Sequence, residues 1–137
     1  MGRFVAGRVL KSLGRAGVAA RDVTVGILGV TFKEDVPDLR NSRVPDIRAE
    51  LMDFGAKVKV HDPLASAEDA RHEWGFDLDD LESFRDLDAL IVAVSHREYV
   101  ALGAQWLASR LRPGGVFYDV KSKFNPADLV GVEYLSL

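Results

Sequence analysis

Lys33, Arg40 and Arg43 stand close together in the segment 31–43, between an apolar β-type run ending at Val30 and a helical pattern opening near Val44. A lysine offers phosphate oxygens a point charge and an arginine a planar two-pronged fork. The segment also leads into a helix N-terminus, where unpaired N–H groups and the dipole already favour an anion. The chemistry this points to is the holding of a phosphate-bearing ligand. The same cations could instead pair with Glu34, Asp35 and Asp38 on their own loop. Lys121 and Lys123 follow a different β-type run and would bring further positive charge to the same edge of a sheet.

Other chemistry finds less support. His61, His72 and His96 are scattered, and no neighbouring residues give them metal-ligand spacing, so structural or surface roles are expected. Asp62 ends a β-type run where a dinucleotide-binding domain keeps its ribose-binding acid. However, Gly26-x-x-Gly29 lacks the G-x-G-x-x-G fingerprint, and a turn-forming Asp62-Pro63 is the simpler reading. Trp74 and Trp106 read as core or interface residues. Cysteine is absent, which excludes disulfides, thiolate metal sites and a cysteine nucleophile from this chain. A formal charge of −3 argues against a nucleic-acid partner, so any anion site must be local. No apolar run approaches the roughly 18 residues of a membrane span, and the N-terminus lacks the apolar core of a signal peptide. The cytoplasm is the expected location.

The 137 residues, 47% hydrophobic and 28% charged, suit one globular domain. Phe4, Val5, Val9, Leu10 and Leu13 predict an amphipathic helix over 3–17, with Gly14 and Gly17 as stop signals. Residues 23–30 form a nearly continuous apolar run, that of a strand buried on both faces. Val44, Ile47, Leu51 and Phe54 predict a helix capped by Asn41 or Ser42 and ended by Gly55. A more exposed strand over 57–62, a turn, and a short helix over 68–74 follow. The acidic stretch 77–86 predicts another helical turn or two, and 88–95 a central strand. One helix should then carry Tyr99, Leu102, Trp106 and Leu107; Arg112 to Gly115 is a turn, 116–120 a fourth strand and 132–135 an edge strand. Strands alternating with helices predict an α/β fold: a single-domain, Rossmann-like parallel sheet flanked by helices.

These residues carry a resemblance. The run Gly29-Val30-Thr31-Phe32-Lys33-Glu34-Asp35-Val36-Pro37-Asp38-Leu39-Arg40-Asn41-Ser42 resembles the signature that opens the C-terminal, UDP-binding domain of the UDP-glucose/GDP-mannose dehydrogenases. The likeness continues through Val60-His61-Asp62-Pro63, Ala93 to Tyr99, Pro113-Gly114-Gly115 and Asp119-Val120-Lys121-Ser122. Those enzymes oxidise the C6 hydroxyl of a nucleotide sugar to a carboxylate with two NAD, by way of a thiohemiacetal on a cysteine.

The resemblance implies that Phe32 and Lys33 contact a UDP-sugar, with Lys33 at its ribose and phosphate end. Arg40 would reach the NAD pyrophosphate across a cleft. Lys121, with Lys123 beside it, would match the basic residue that the family places after the last main strand. The wording of the 33–42 loop is closer to enzymes of UDP-N-acetylhexosamines than to the UDP-glucose branch. Residues 1–20 resemble the helix that follows the family's central domain, and 21–137 the UDP-sugar-binding domain. The NAD-binding domain, central domain and cysteine have no counterpart here. The remaining domains of a longer enzyme, and further copies in a homo-oligomer, are therefore expected partners, and the chain alone is expected to be inactive. A free-standing nucleotide-binding or assembly module without catalysis is the alternative.

Overall fold

The computed structural model describes residues 2–40 and 42–137. Five strands, β1 (Thr24–Leu28), β2 (Lys57–His61), β3 (Leu87–Val92), β4 (Leu111–Asp119) and β5 (Glu133–Ser136), form one sheet in the order β2-β1-β3-β4-β5. Every pairing is parallel. The helices are α1 (Gly2–Arg15), α2 (Val44–Asp53), α3 (Ala67–Trp74), α4 (Arg97–Leu102) and α5 (Ala104–Ala108). No helix among the described residues is long and apolar enough to cross a membrane.

The apolar runs form strands because both faces are covered. Val25, Ile27, Ala89, Ile91, Val116 and Tyr118 point into one core with Val5, Val9 and Leu13 of α1, Ile47 and Leu51 of α2, and Ala70 of α3. Leu28, Leu90, Val92 and Phe117 point into the other, with Tyr99 of α4 and Leu107 of α5. Gly26 stands where the Phe84 ring crosses β1: a Cβ there would lie 2.7 Å from the ring. From β1 the chain builds β2 on one side and then crosses to β3 on the other. The sheet therefore has its topological switch point between β1 and β3, and a crevice at the carboxyl ends of those strands.

The structure departs from some expectations and refines others. The helix expected to run unbroken to Leu107 is split into α4 and α5 by Gly103, whose φ of 90° and ψ of 155° interrupt the hydrogen-bond ladder. The helical turn expected in the acidic stretch 77–86 is a single 3₁₀ turn, Leu81–Ser83. The first part of the stretch is extended because it covers the open edge of β2: Val60 N–H donates to Asp79 Oδ2 at 2.8 Å, and Asp79 N–H to the Val60 carbonyl at 2.6 Å. Finally, β4 starts at Leu111, and the expected turn Arg112–Gly115 is a bulge inside it. Leu87 pairs with Leu111 but Ala89 with Val116, the extra residues being absorbed around Gly114 at φ 78°.

The glycine stops stand. Gly55 follows α2 with φ 96°, and Gly75 closes α3 at φ 77°. The cap expected at Asn41 or Ser42 falls one residue later: Arg43 is the N-cap of α2 and makes no side-chain capping bond, Asn41 lies outside the described residues, and Ser42 Oγ accepts from Val44 N–H at 3.2 Å in the turn ahead of the helix.

Gly29 is the turn on which the site hangs. Its φ is +91°, and a Cβ would lie 2.6 Å from both the Val94 Cβ and the Val94 carbonyl oxygen. Left-handed strain and overpacking together lead us to expect that Gly29→Ala lowers stability by about 2–5 kcal/mol in urea unfolding. A loss below about 0.5 kcal/mol would show that the crossing at Val94 is not fixed.

Candidate functional site

A cleft of about 690 Å³ opens at the carboxyl edge of the sheet. The loop after β1 supplies Thr31, Phe32, Lys33 and Glu34, the start of α2 supplies Ser42, Arg43, Val44 and Ile47, and the ends of β3 and β4 supply Ala93, Val120 and Lys121. The size is that of a small-ligand site. Three cations, Lys33, Arg43 and Lys121, face one carboxylate, Glu34, beside the N-terminus of α2. That combination attracts an anion.

Of the residues named from sequence, the fold brings Phe32, Lys33 and Lys121 together. Phe32 is 53% exposed, comparable to Phe4 and Phe54 at 55% each. Arg40 and Lys123 do not line the cleft. Arg40 instead grips Asp38, donating from Nε to Oδ1 and from Nη2 to Oδ2, both at 3.1 Å. The pair holds the Asp38 carboxyl below its ordinary value and raises that of Arg40, through the hydrogen bonds between them.

The loop is shaped by two buried residues. Asp62, at the end of β2, gathers five donors. Its Oδ2 accepts from Val30 N–H at 2.7 Å, Thr31 N–H at 3.3 Å and His96 Nε2 at 2.8 Å. Its Oδ1 accepts from Leu64 N–H at 2.7 Å and Ala65 N–H at 3.1 Å. The Asp-Pro turn read from sequence is thus real, but it uses only one carboxylate oxygen. Burial alone would raise the Asp62 pKa; the hydrogen bonds from His96, Val30 and Leu64 outweigh it and hold the carboxyl below its usual value.

His96, fully buried after β3, accepts the Asp35 N–H on Nδ1 at 2.9 Å and reaches Thr31 Oγ1 with Nε2 at 3.1 Å. Asp35 adopts φ 61°, and its Oδ1 accepts the Arg97 N–H at 2.9 Å at the start of α4. That bond is the main reason its carboxyl titrates below the ordinary value. The role of His96 was not legible beyond a structural one. No signal in the sequence paired it with Asp62, because only the strand order brings the ends of β2 and β3 to either side of the β1 loop.

The Lys121 loop is tied down in a similar way. Asp119 Oδ2 accepts from Phe124 N–H and from the Tyr134 hydroxyl, both at 2.8 Å. Burial, and then this bond, push the Tyr134 pKa up to about 12. No group of three or more His, Asp or Glu side chains suited to a metal occurs among the described residues.

Residues 26–126 match the model of the UDP-glucose/GDP-mannose dehydrogenase family, UDP binding domain. The chain belongs to the UDP-glucose/GDP-mannose dehydrogenase family. It is 37% identical over 121 residues to the UDP-N-acetyl-D-glucosamine 6-dehydrogenase of Pseudomonas aeruginosa, covering 88% of this chain and 29% of that protein. It is 33% identical over 129 residues to Protein CapL of Staphylococcus aureus, covering 94% of this chain and 30% of that one. The NDP-N-acetyl-D-galactosaminuronic acid dehydrogenase of Methanosarcina mazei Go1 superposes with a TM-score of 0.82 at 26% identity, over 98% of this chain and 29% of that one. The chain thus spans about 30% of the length of these relatives, and what it spans is the family's UDP-binding domain.

The Asp62 network gives a pH-dependent prediction. A carboxyl whose folded pKa is depressed contributes stability above its unfolded value, and loses it as pH falls through the folded one. Asp62→Asn should cost about 3 kcal/mol at pH 7, since it removes a buried charge-assisted acceptor of five donors. The deficit relative to the unaltered chain should shrink below about pH 4. Urea unfolding at pH 7 and pH 3 checks this; a constant deficit would mean that Asp62 is not the titrating group.

Proposed function

We propose that this chain is the nucleotide-sugar-binding part of an NAD-dependent dehydrogenase that oxidises the C6 hydroxyl of a UDP-sugar to a carboxylate. The observation that carries the reading is the convergence of Phe32, Lys33 and Lys121 on one cleft beside the α2 N-terminus, within the family's UDP-binding domain. Lys33 and Lys121 take the diphosphate from two loops. Arg43, next to the helix N-terminus, adds to that charge, and Phe32 offers an apolar face to the nucleoside or sugar. The names of the similar proteins, together with the wording of the 33–42 loop, favour a UDP-N-acetylhexosamine as the sugar nucleotide. Residues 1–20 lead in from the central domain, and the enzyme works in the cytoplasm.

For NAD the fit of this chain is partial. β1 runs into Gly29-Val30-Thr31 without a glycine-rich cradle, so the dinucleotide is held mainly by another domain. Arg40 is the residue offered to it here: its pairing with Asp38 is exposed, and such a pair exchanges at little cost for a pyrophosphate. NAD, when bound, supplies the hydride acceptor, and the nucleophilic cysteine comes from the central domain. What this chain's residues do is bind and orient the substrate.

By itself, then, the 137-residue chain should bind UDP weakly, progressively less with added salt, and should form no NADH from UDP-sugars. Lys33→Ala and Lys121→Ala should each weaken UDP about tenfold in an NMR titration, while Arg40→Ala leaves it unchanged. In an enzyme carrying all domains, Lys33→Ala should raise KM for the sugar nucleotide, and Arg40→Ala that for NAD. UDP-induced shifts confined to residues outside 31–43 and 120–123 would overturn the assignment.

A further inference from the structure

We propose that His96 is the positioning residue of the cleft: a buried neutral imidazole, fixed as the Nε2–H tautomer, that clamps both flanks of Lys33 to Asp62. It lies outside the cleft lining and touches no ligand itself. The consequence for binding rests on the reading of the cleft as a UDP site; the clamp does not.

The tautomer follows from the partners. Nδ1 faces the Asp35 main-chain N–H at 2.9 Å, and since that group can only donate, Nδ1 must be bare. The hydrogen is then on Nε2, aimed at Asp62 Oδ2 at 2.8 Å. Thr31 Oγ1 fits the same arrangement: its hydroxyl donates to the Lys33 carbonyl at 3.0 Å, which leaves a lone pair for Nε2 at 3.1 Å. An Nδ1–H imidazole would set donor against donor at Asp35 and leave Asp62 facing a bare nitrogen.

The clamp acts on the binding residues through the chain. Thr31 and Asp35 stand two positions before and after Lys33, and one ring holds both. Asp35 is at φ 61°, a left-handed conformation that is uncommon outside glycine and that aspartate adopts more readily than most residues. Within 31–35 the other ties to the sheet edge and α4 are the Thr31 N–H to Asp62, the Asp35 carboxylate to Arg97, and a long 3.5 Å contact from Ser95 to Glu34. Remove the ring and the tip loses its buried anchor, while Phe32 and Lys33 keep their identity and lose their place.

The test uses the whole 137-residue chain. Long-range ¹H–¹⁵N correlation of the unaltered protein should show His96 Nε2 protonated and Nδ1 bare; the opposite tautomer, or a charged ring at neutral pH, overturns the proposal. This measurement needs no variant to fold. Among variants, His96→Asn can still accept from the Asp35 amide near the Nδ1 position, whereas His96→Ala cannot. His96→Ala should abolish hydrogen-exchange protection of the Asp35 amide and weaken UDP roughly tenfold, with β1 and β3 amides still protected. His96→Asn should restore much of both.

Unchanged Asp35 protection in His96→Ala overturns the clamp. Lost protection with unchanged UDP affinity overturns the positioning role. UDP failing to bind the unaltered chain, with Asp35 protection still lost in His96→Ala, would sink the functional reading and uphold the clamp.

Discussion

The structure turns on one buried carboxylate. The ladder between β1 and β2 ends where Leu28 pairs with His61, and one more bond, from Gly29 N–H to the His61 carbonyl, closes it. Beyond that point Val30 and Thr31 have N–H groups in the interior and no strand to pair with. The Asp62 side chain takes both, so a side chain continues the ladder for two residues after the backbone has stopped. Taking a carboxylate out of water costs several kcal/mol, and only a full set of donors offsets it. Asp62 has five, contributed by the β1 loop, its own turn and His96. Losing Asp62 would strand the interior N–H groups of Val30 and Thr31, whereas losing one donor only weakens what offsets its charge.

This carboxylate sits where the topology opens the sheet. Because β2 and β3 flank β1 on opposite sides, the loops that follow all three emerge together, and the β1 loop is gripped from both neighbours. Asp62 comes from one side and His96 from the other. Farther along the edge, Asp119 at the end of β4 does a comparable job for the loop bearing Lys121, accepting one main-chain N–H and the Tyr134 hydroxyl. Two buried acids thus hold two exposed basic loops, which is how a chain of net charge −3 presents a positive cleft.

How much of this was legible in the sequence depended on whether the determinant was local. Strands buried on both faces are apolar at nearly every position, so β1 and β3 could be read directly, and the basic loop announced itself because Lys33, Arg40 and Arg43 lie near one another in the chain. Gly103 breaks a helix whose apolar spacing continues across it, and periodicity alone does not report a backbone angle. The Arg112–Gly115 segment has the composition of a turn, yet Leu111 before it finds Leu87 and is drawn into the sheet. In the site, Asp62 and His96 meet only because β2 and β3 end on either side of β1, and strand order is not written in strand sequence. Which arginine lines the cleft was equally hidden: Arg43, beside the α2 N-terminus, does, while Arg40 turns to Asp38.

The acids of the basic loop bear on this as well. Glu34, Asp35 and Asp38 follow Lys33 so closely that neutralisation on the spot was a fair reading of the sequence. The fold removes two of them. Asp35 turns to the N–H of Arg97 at the start of α4, and Asp38 is occupied by the fork of Arg40, outside the cleft. Only Glu34 remains on the lining, while Lys33 makes no ion pair among the described residues. A cation that a fold leaves without a counter-ion, in a cleft whose loops are fixed by buried carboxylates, has its attraction still to give. Lys33, Arg43 and Lys121 thus give the cleft a positive excess, with Glu34 the one carboxylate on its lining, and an excess of that kind attracts an anion.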